Sequence, residues 1–184
     1  PTKVISALGS GGVILTNNIK FRDQCVELRY HGKNQIKKEF SILGFNSQMP
    51  SIIAAGLVCK MQFLNFFQKK RIKIANIYNK ELQNLPLDLP INSKAQDHIY
   101  HKYVIQTKVR DKLASFLKLK KIETMIHYKK PLSEEKIFKK YKLICKNSMR
   151  LSKTCLSLPI HPFLTITEIK YVTKQINIFF KNYK

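Results

Sequence analysis

The sequence predicts a mixed α/β chain, and three observations carry that expectation. Val13-Ile14-Leu15 is a short continuous apolar run behind the glycine turn at positions 9–12, the pattern of a buried strand. Beyond residue 90, strand-like and helix-like segments alternate, as they do in a small α/β domain. Thr165-Ile-Thr-Glu168 is a capping box, in which hydroxyl and carboxylate each satisfy a free backbone N–H. Behind it, Ile169, Val172, Ile176 and Phe179 form an apolar stripe suited to packing on a sheet.

Taken in order, Val13–Leu15 is the first expected strand, and Asn17 or Asn18 caps a helix over Ile19–Arg29 that His31-Gly32 ends. Residues 33–50 are polar and irregular, punctuated by Gly44 and Pro50, and read as a loop. Ser51 opens a helix carrying Ile53, Leu57, Met61 and Leu64 at three- or four-residue spacing. A second helical stretch carries Ile74, Ile77, Tyr78 and Leu82. Leu85–Asn92, with Pro86 and Pro90, is a connector and the clearest break in composition. Tyr103-Val104-Ile105 is expected as a strand, Asp111–Lys121 as a helix and Ile122–Ile126 as a second strand. Ser133 is placed to cap a helix bearing Ile137, Tyr141 and Ile144, and the helix behind Thr165 closes the chain.

Hydrophobic residues make up 44% of the 184, enough for a core and too many for wholesale disorder. The longest apolar stretch, Ile52–Cys59, is too short to span a bilayer, so no membrane association is expected. No signal-peptide pattern opens the chain, and a cytoplasmic location is the default expectation. The formal net charge of +23 comes mostly from lysines scattered over the polar sides of nearly every segment. That distribution favours a solvated surface over a sequence-reading nucleic-acid interface, so any nucleic-acid binding is expected to be non-specific. Cys25, Cys59, Cys145 and Cys155 form no Cys-x-x-Cys pair and are expected as reduced, partly buried thiols. His98-x-x-His101, even with His127, lacks the cysteine or carboxylate context of a zinc site, and no metal is expected.

The motifs are informative through their order. Pro1-Thr2-Lys3 precedes Gly9-Ser10-Gly11-Gly12 and a run ending Thr16-Asn17. Then come Arg29-Tyr30-His31-Gly32, Gly44-Phe45-Asn46-Ser47-Gln48-Met49 and Ala54-Ala55-Gly56-Leu57, followed by Arg71 with Ile74-Ala75 and Tyr78. His98-Ile99-Tyr100-His101, His127-Tyr128 before Pro131-Leu132, and Leu158-Pro159-Ile160-His161-Pro162 complete the series. In this order the chain resembles the DegT/DnrJ/StrS family of sugar aminotransferases, which use pyridoxal 5′-phosphate. The resemblance runs from residue 1 to about residue 180.

The resemblance implies the C-terminal portion of a fold-type-I (aspartate aminotransferase-like) enzyme. Residues 1–50 would be a remnant of the large cofactor-binding domain, 51–90 bridging helices and a connector, and 91–184 the small α/β domain. It implies that Lys3 carries the cofactor as a Schiff base and acts as general acid/base, a role suited to an amine that can give up its charge. It implies that Asn46 lies on a loop that lines a cofactor site near the phosphate, across a homodimer interface. Gln48 stands where the family has an arginine, Ser10 where it has an aspartate, Asn18 where it has the last Asp of Thr-Asn-Asp, and Ser133 where it has a histidine. The implied reaction is amino transfer to a keto-sugar nucleotide. For lack of the N-terminal cofactor-binding half, the 184 residues are expected to be inactive alone and to need a complementary N-terminal half. The alternatives are an inactive remnant and a basic, non-enzymatic binding protein.

Overall fold

The computed structural model describes residues 3–91 and 98–183, so Pro1, Thr2 and Asn92 of the segments named above lie outside the described residues. The chain divides into two compact units, Pro1–Leu64 and Asn65–Lys184. The break falls within the stretch expected to bridge two domains.

In the first unit, α1 (Ile19–Arg29) begins as expected: the Asn18 side chain accepts the Phe21 N–H at 3.1 Å. It ends where His31 and Gly32 take positive φ, 60° and 77°, and the Gly32 N–H returns to the Glu27 carbonyl at 2.8 Å. The loop that follows is fastened by isolated bridges, Lys33 to Phe40 and Tyr30 to Asn46, and the Ser41 hydroxyl donates to the Glu27 carboxylate. α2 (Ser51–Met61) follows Pro50. Neither helix contains a buried residue.

Val13–Leu15 corrects the sequence reading, because no strand forms there. The three side chains are 72%, 66% and 90% exposed. An apolar run becomes a strand only when another strand satisfies its N–H and C=O groups, and none of the described residues pairs with this one.

The second unit holds α3 (Leu64–Leu82, from its second residue), β1 (Tyr103–Gln106), α4 (Arg110–Leu119), α5 (Lys146–Thr154), β2 (Cys155–Leu158) and α6 (Ile166–Asn182). β1 and β2 pair antiparallel from Tyr103↔Leu158 to Gln106↔Cys155. Single bridges extend this ribbon, Asp88 to Gln106 and Met125 to Ser157. The core forms where the helices meet the ribbon. Tyr78 and Leu82 of α3, Ile105 of β1, Leu113 and Leu117 of α4, Leu156 of β2 and Ile176 of α6 are all fully buried. The capping box at Thr165 and Glu168 is present, with the Glu168 carboxylate 2.8 Å from the Thr165 N–H. Those bonds hold the Glu168 carboxyl below its usual pKa.

Three further expectations are corrected. Ile122–Ile126 does not form a strand; it makes only the Met125 bridge to Ser157, on the edge of β2 that β1 leaves open. Ser133 caps no α-helix; two short 3₁₀ turns, Leu132–Glu134 and Lys139–Tyr141, occupy that stretch. Lys142 at φ 49° stops the second of them. All four cysteines are free, but Cys59 and Cys145 are exposed rather than partly buried, while Cys155 is buried. Among the described residues no single helix is long and apolar enough to cross a membrane.

Amide exchange should map this contrast directly. We expect lasting protection at Tyr103–Ile105 and through α6, and rapid exchange at Val13–Leu15. Stronger protection at Val13–Leu15 than in α6 would contradict the assignment of the core to the second unit.

Candidate cofactor lysine and its supporting motifs

Lys3 is exposed and sits in a bend ahead of Ser6, which takes φ 53°. The Ser6 carbonyl accepts from Lys60 Nζ at 2.6 Å, and the Leu8 side chain lies against Gly56, where an added Cβ would meet it at 3.1 Å. The segment leading from Lys3 is therefore seated on α2.

Asn46 lies on a strip that runs along the C-terminal end of α1. The N–H groups of Phe45 and Ser47 donate to the carbonyls of Leu28 and Arg29, at 2.7 and 3.0 Å. Two glycines make this strip possible. A Cβ on Gly32 would stand 1.8 Å from the Ile42 carbonyl oxygen, and one on Gly44 would stand 1.9 Å from the Gly32 nitrogen. The Arg-x-His-Gly and Gly-x-Asn motifs are thus two sides of one backbone crossing that positions Asn46. Asn46 is exposed, and no hydrogen bond or ion pair joins it to Lys3 among the described residues.

The other motifs hold the second unit together. Arg71 Nη1 donates to the carbonyls of Tyr100, His101 and Ile160, at 3.3, 3.3 and 2.9 Å, and partial burial pushes its pKa down. The Tyr78 hydroxyl donates to the Pro159 carbonyl at 2.9 Å, and Tyr103 donates to Asn79 Oδ1 at 2.5 Å. Arg71, Ile74, Ala75 and Tyr78 therefore tie α3 to the segments before β1 and after β2. That role is structural, and the sequence reading assigned them none. His98 Nδ1 accepts the Tyr100 N–H at 2.9 Å, and His127 Nδ1 lies 2.8 Å from the Ser157 hydroxyl. Among the described residues no group of three His, Cys, Asp or Glu side chains could hold a metal ion.

A cavity of about 950 Å³ opens beside His127, lined among others by Tyr128, Ser133, Cys145, Ser148 and Ser152. The Ser133 hydroxyl is buried there without a partner. Sequence reasoning missed this concavity because α5, which forms one wall, has few apolar residues to mark it as a packed helix.

Pyridoxal phosphate requires an amine for its aldehyde and hydrogen-bond donors for its phosphate. Lys3 offers an exposed amine, and the Asn46 amide is accessible as a donor, so both residues fit the group.

A model of the DegT/DnrJ/EryC1/StrS aminotransferase family matches residues 1–177, and the chain belongs to that family. Family members and their solved neighbours are pyridoxal-phosphate-dependent aminotransferases, and the neighbours have fold type I. The chain is 33% identical over 191 residues to a pleiotropic regulatory protein of Geobacillus stearothermophilus, across 100% of this chain and 50% of that protein. It is 29% identical to the dTDP-3-amino-3,6-dideoxy-alpha-D-galactopyranose transaminase of Aneurinibacillus thermoaerophilus, covering 91% of this chain and 46% of the enzyme. The crystal structure of a DegT DnrJ EryC1 StrS aminotransferase from Brucella abortus superposes with a TM-score of 0.93 at 28% identity, over 98% of this chain and 49% of that one. The chain thus spans about half the length of the relatives it matches.

Proposed function

We propose that the chain supplies the cofactor-bearing lysine and the small domain of a sugar-nucleotide aminotransferase, and that its 184 residues turn over substrate only with a complementary polypeptide. The observation carrying this reading is the accessible Lys3, at the Pro-x-Lys position of a family motif series that continues in order through the chain. In this reading Lys3 Nζ holds pyridoxal phosphate covalently, and the Asn46 amide donates to a phosphate across a dimer interface. When bound, the cofactor is the electron sink for the carbon that loses its proton. Freed when the substrate amine takes its place, Lys3 Nζ, unprotonated, would take that proton from the substrate carbon and return it to the cofactor carbon bonded to the same nitrogen. Gln48 brings no positive charge to the phosphate side and Ser10 no negative charge to the glycine turn. These two neutral positions favour, as a second reading, a remnant that has lost activity.

The test is co-expression with the N-terminal half of the Geobacillus relative, followed by assay of amino transfer from glutamate to a keto-sugar nucleotide. Turnover by the pair and none by the 184 residues alone is the expected result. Turnover by the chain alone would refute the need for a second polypeptide. Absence of turnover in the pair, despite a stable complex, would favour the remnant.

A further inference from the structure

We infer that the outer face of α3 is a binding track for a single strand of nucleic acid, a function that goes beyond amino transfer and does not depend on it. At 100° per residue, Phe66, Lys69, Lys73, Ile77 and Lys80 fall within about 80° of one another on this helix. Ile74, Ala75, Tyr78 and Leu82 take the opposite side into the core. Lys69, Ile72, Lys73, Asn76, Ile77 and Lys80 line a shallow groove of about 430 Å³. Glu81 is the single acidic residue of α3, and none of the three lysines makes an ion pair among the described residues. Lys69 to Lys80 spans about 16 Å along the helix axis. The same i, i+4, i+11 spacing recurs on α6, where Lys170, Lys174 and Lys181 line a second concavity with Glu81 and Asn84.

A charge stripe alone suits any polyanion, and the aromatic end of the stripe narrows the choice. The Phe66 ring is 51% exposed, with Lys70 Nζ 5.4 Å from its centroid. Its centroid lies 5.8 Å from that of Phe67, which lies 5.8 Å from that of Phe163, itself 73% exposed. Exposed rings beside unpaired lysines match what an unstacked base and its phosphates require. A duplex keeps its bases stacked and cannot use the rings. An anionic membrane would require an apolar helix face to insert, and the apolar face of α3 is occupied by the core.

The test uses the whole chain and a fluorescently labelled oligothymidylate of about twelve nucleotides, titrated between roughly 50 and 200 mM salt. Lys69→Glu/Lys73→Glu/Lys80→Glu is expected to lower affinity by more than about tenfold and to flatten the salt slope by about two. Phe66→Ala should lower affinity at least about fivefold through lost stacking. Lys136→Glu/Lys139→Glu/Lys140→Glu makes the same change in net charge on exposed residues elsewhere, and should cost less than about threefold. Acetylation footprinting of the unmodified chain reads the site without any variant: saturating oligonucleotide should protect Lys69, Lys73 and Lys80 but not Lys136, Lys139 and Lys140. Equal losses in the two triple variants, an unaffected Phe66→Ala, tighter binding to phosphatidylserine vesicles than to the oligonucleotide, or no binding would each overturn the proposal.

Discussion

Tyr78→Ala should remove a large part of the second unit's stability. The side chain is fully buried, its ring centroid lies 4.9 Å from that of Tyr103, and its hydroxyl satisfies the Pro159 carbonyl. Emptying an aromatic site costs about 3–5 kcal/mol, before counting the carbonyl left without a donor. A domain of this size holds only about 5–15 kcal/mol in reserve. Tyr78→Phe keeps the ring and should cost about 1 kcal/mol. Urea titration followed by far-ultraviolet circular dichroism separates the two, and equal midpoints for Tyr78→Ala and the parent chain would refute the clamp. The same residue sets an alkaline limit. Burial pushes the Tyr78 and Tyr103 hydroxyls well above their ordinary value of 10.0, and the neighbouring tyrosines add to the effect at Tyr103. Below pH 10 both states keep these protons, and the stability is fully present. Above it the unfolded chain releases them first, so stability falls by up to about 1.4 kcal/mol per pH unit for each tyrosine. Tyr78→Phe should shed one of these two contributions.

Lys3→Ala is expected to abolish covalent capture of pyridoxal phosphate and all turnover of the co-expressed pair. Borohydride reduction fixes the cofactor on its lysine, and peptide mapping then reads the modified residue without reference to activity. We expect the label on Lys3 in the pair and at most diffuse labelling of surface lysines in the chain alone. Lys3→Arg should fail equally, since a guanidinium stays protonated and cannot act as the amine nucleophile. Labelling centred on Lys60, whose ammonium is held by the Ser6 carbonyl, would show that the cofactor lysine had been assigned wrongly.

The elements legible in the sequence are those specified by neighbours in the chain. Asn18 at the head of α1, His31-Gly32 at its end and the Thr165–Glu168 box at the head of α6 are local signals, and each acts as expected. The elements missed are specified from far away. Lys146–Thr154 has few apolar residues, and its last turn is fixed by Arg110, whose guanidinium donates to the carbonyls of Ser152 and Cys155 at 3.1 Å. Cys155–Leu158 follows that helix without a turn residue and becomes a strand only because β1 is there to pair with it. Val13–Leu15 shows the converse, a strand-like composition that finds no pairing. At the candidate site, Lys3 and Asn46 are proposed from the order of motifs, not from local chemistry. The clamps at Arg71 and Tyr78 were visible as residues, but their carbonyl partners lie some 30 to 90 positions away.

The crossing of Gly32 and Gly44 couples two motifs that would otherwise drift independently. Each glycine is required by the backbone of the other strand of the loop, so an alanine at either position forces the crossing apart. Once it is open, an alanine at Gly44 meets no further obstruction, while one at Gly32 still carries the strain of φ 77°. A double-mutant cycle of Gly32→Ala and Gly44→Ala should therefore be strongly non-additive, with the pair costing little more than the worse single change. The strip that carries Asn46 along the end of α1 therefore stands or falls with both glycines as one unit.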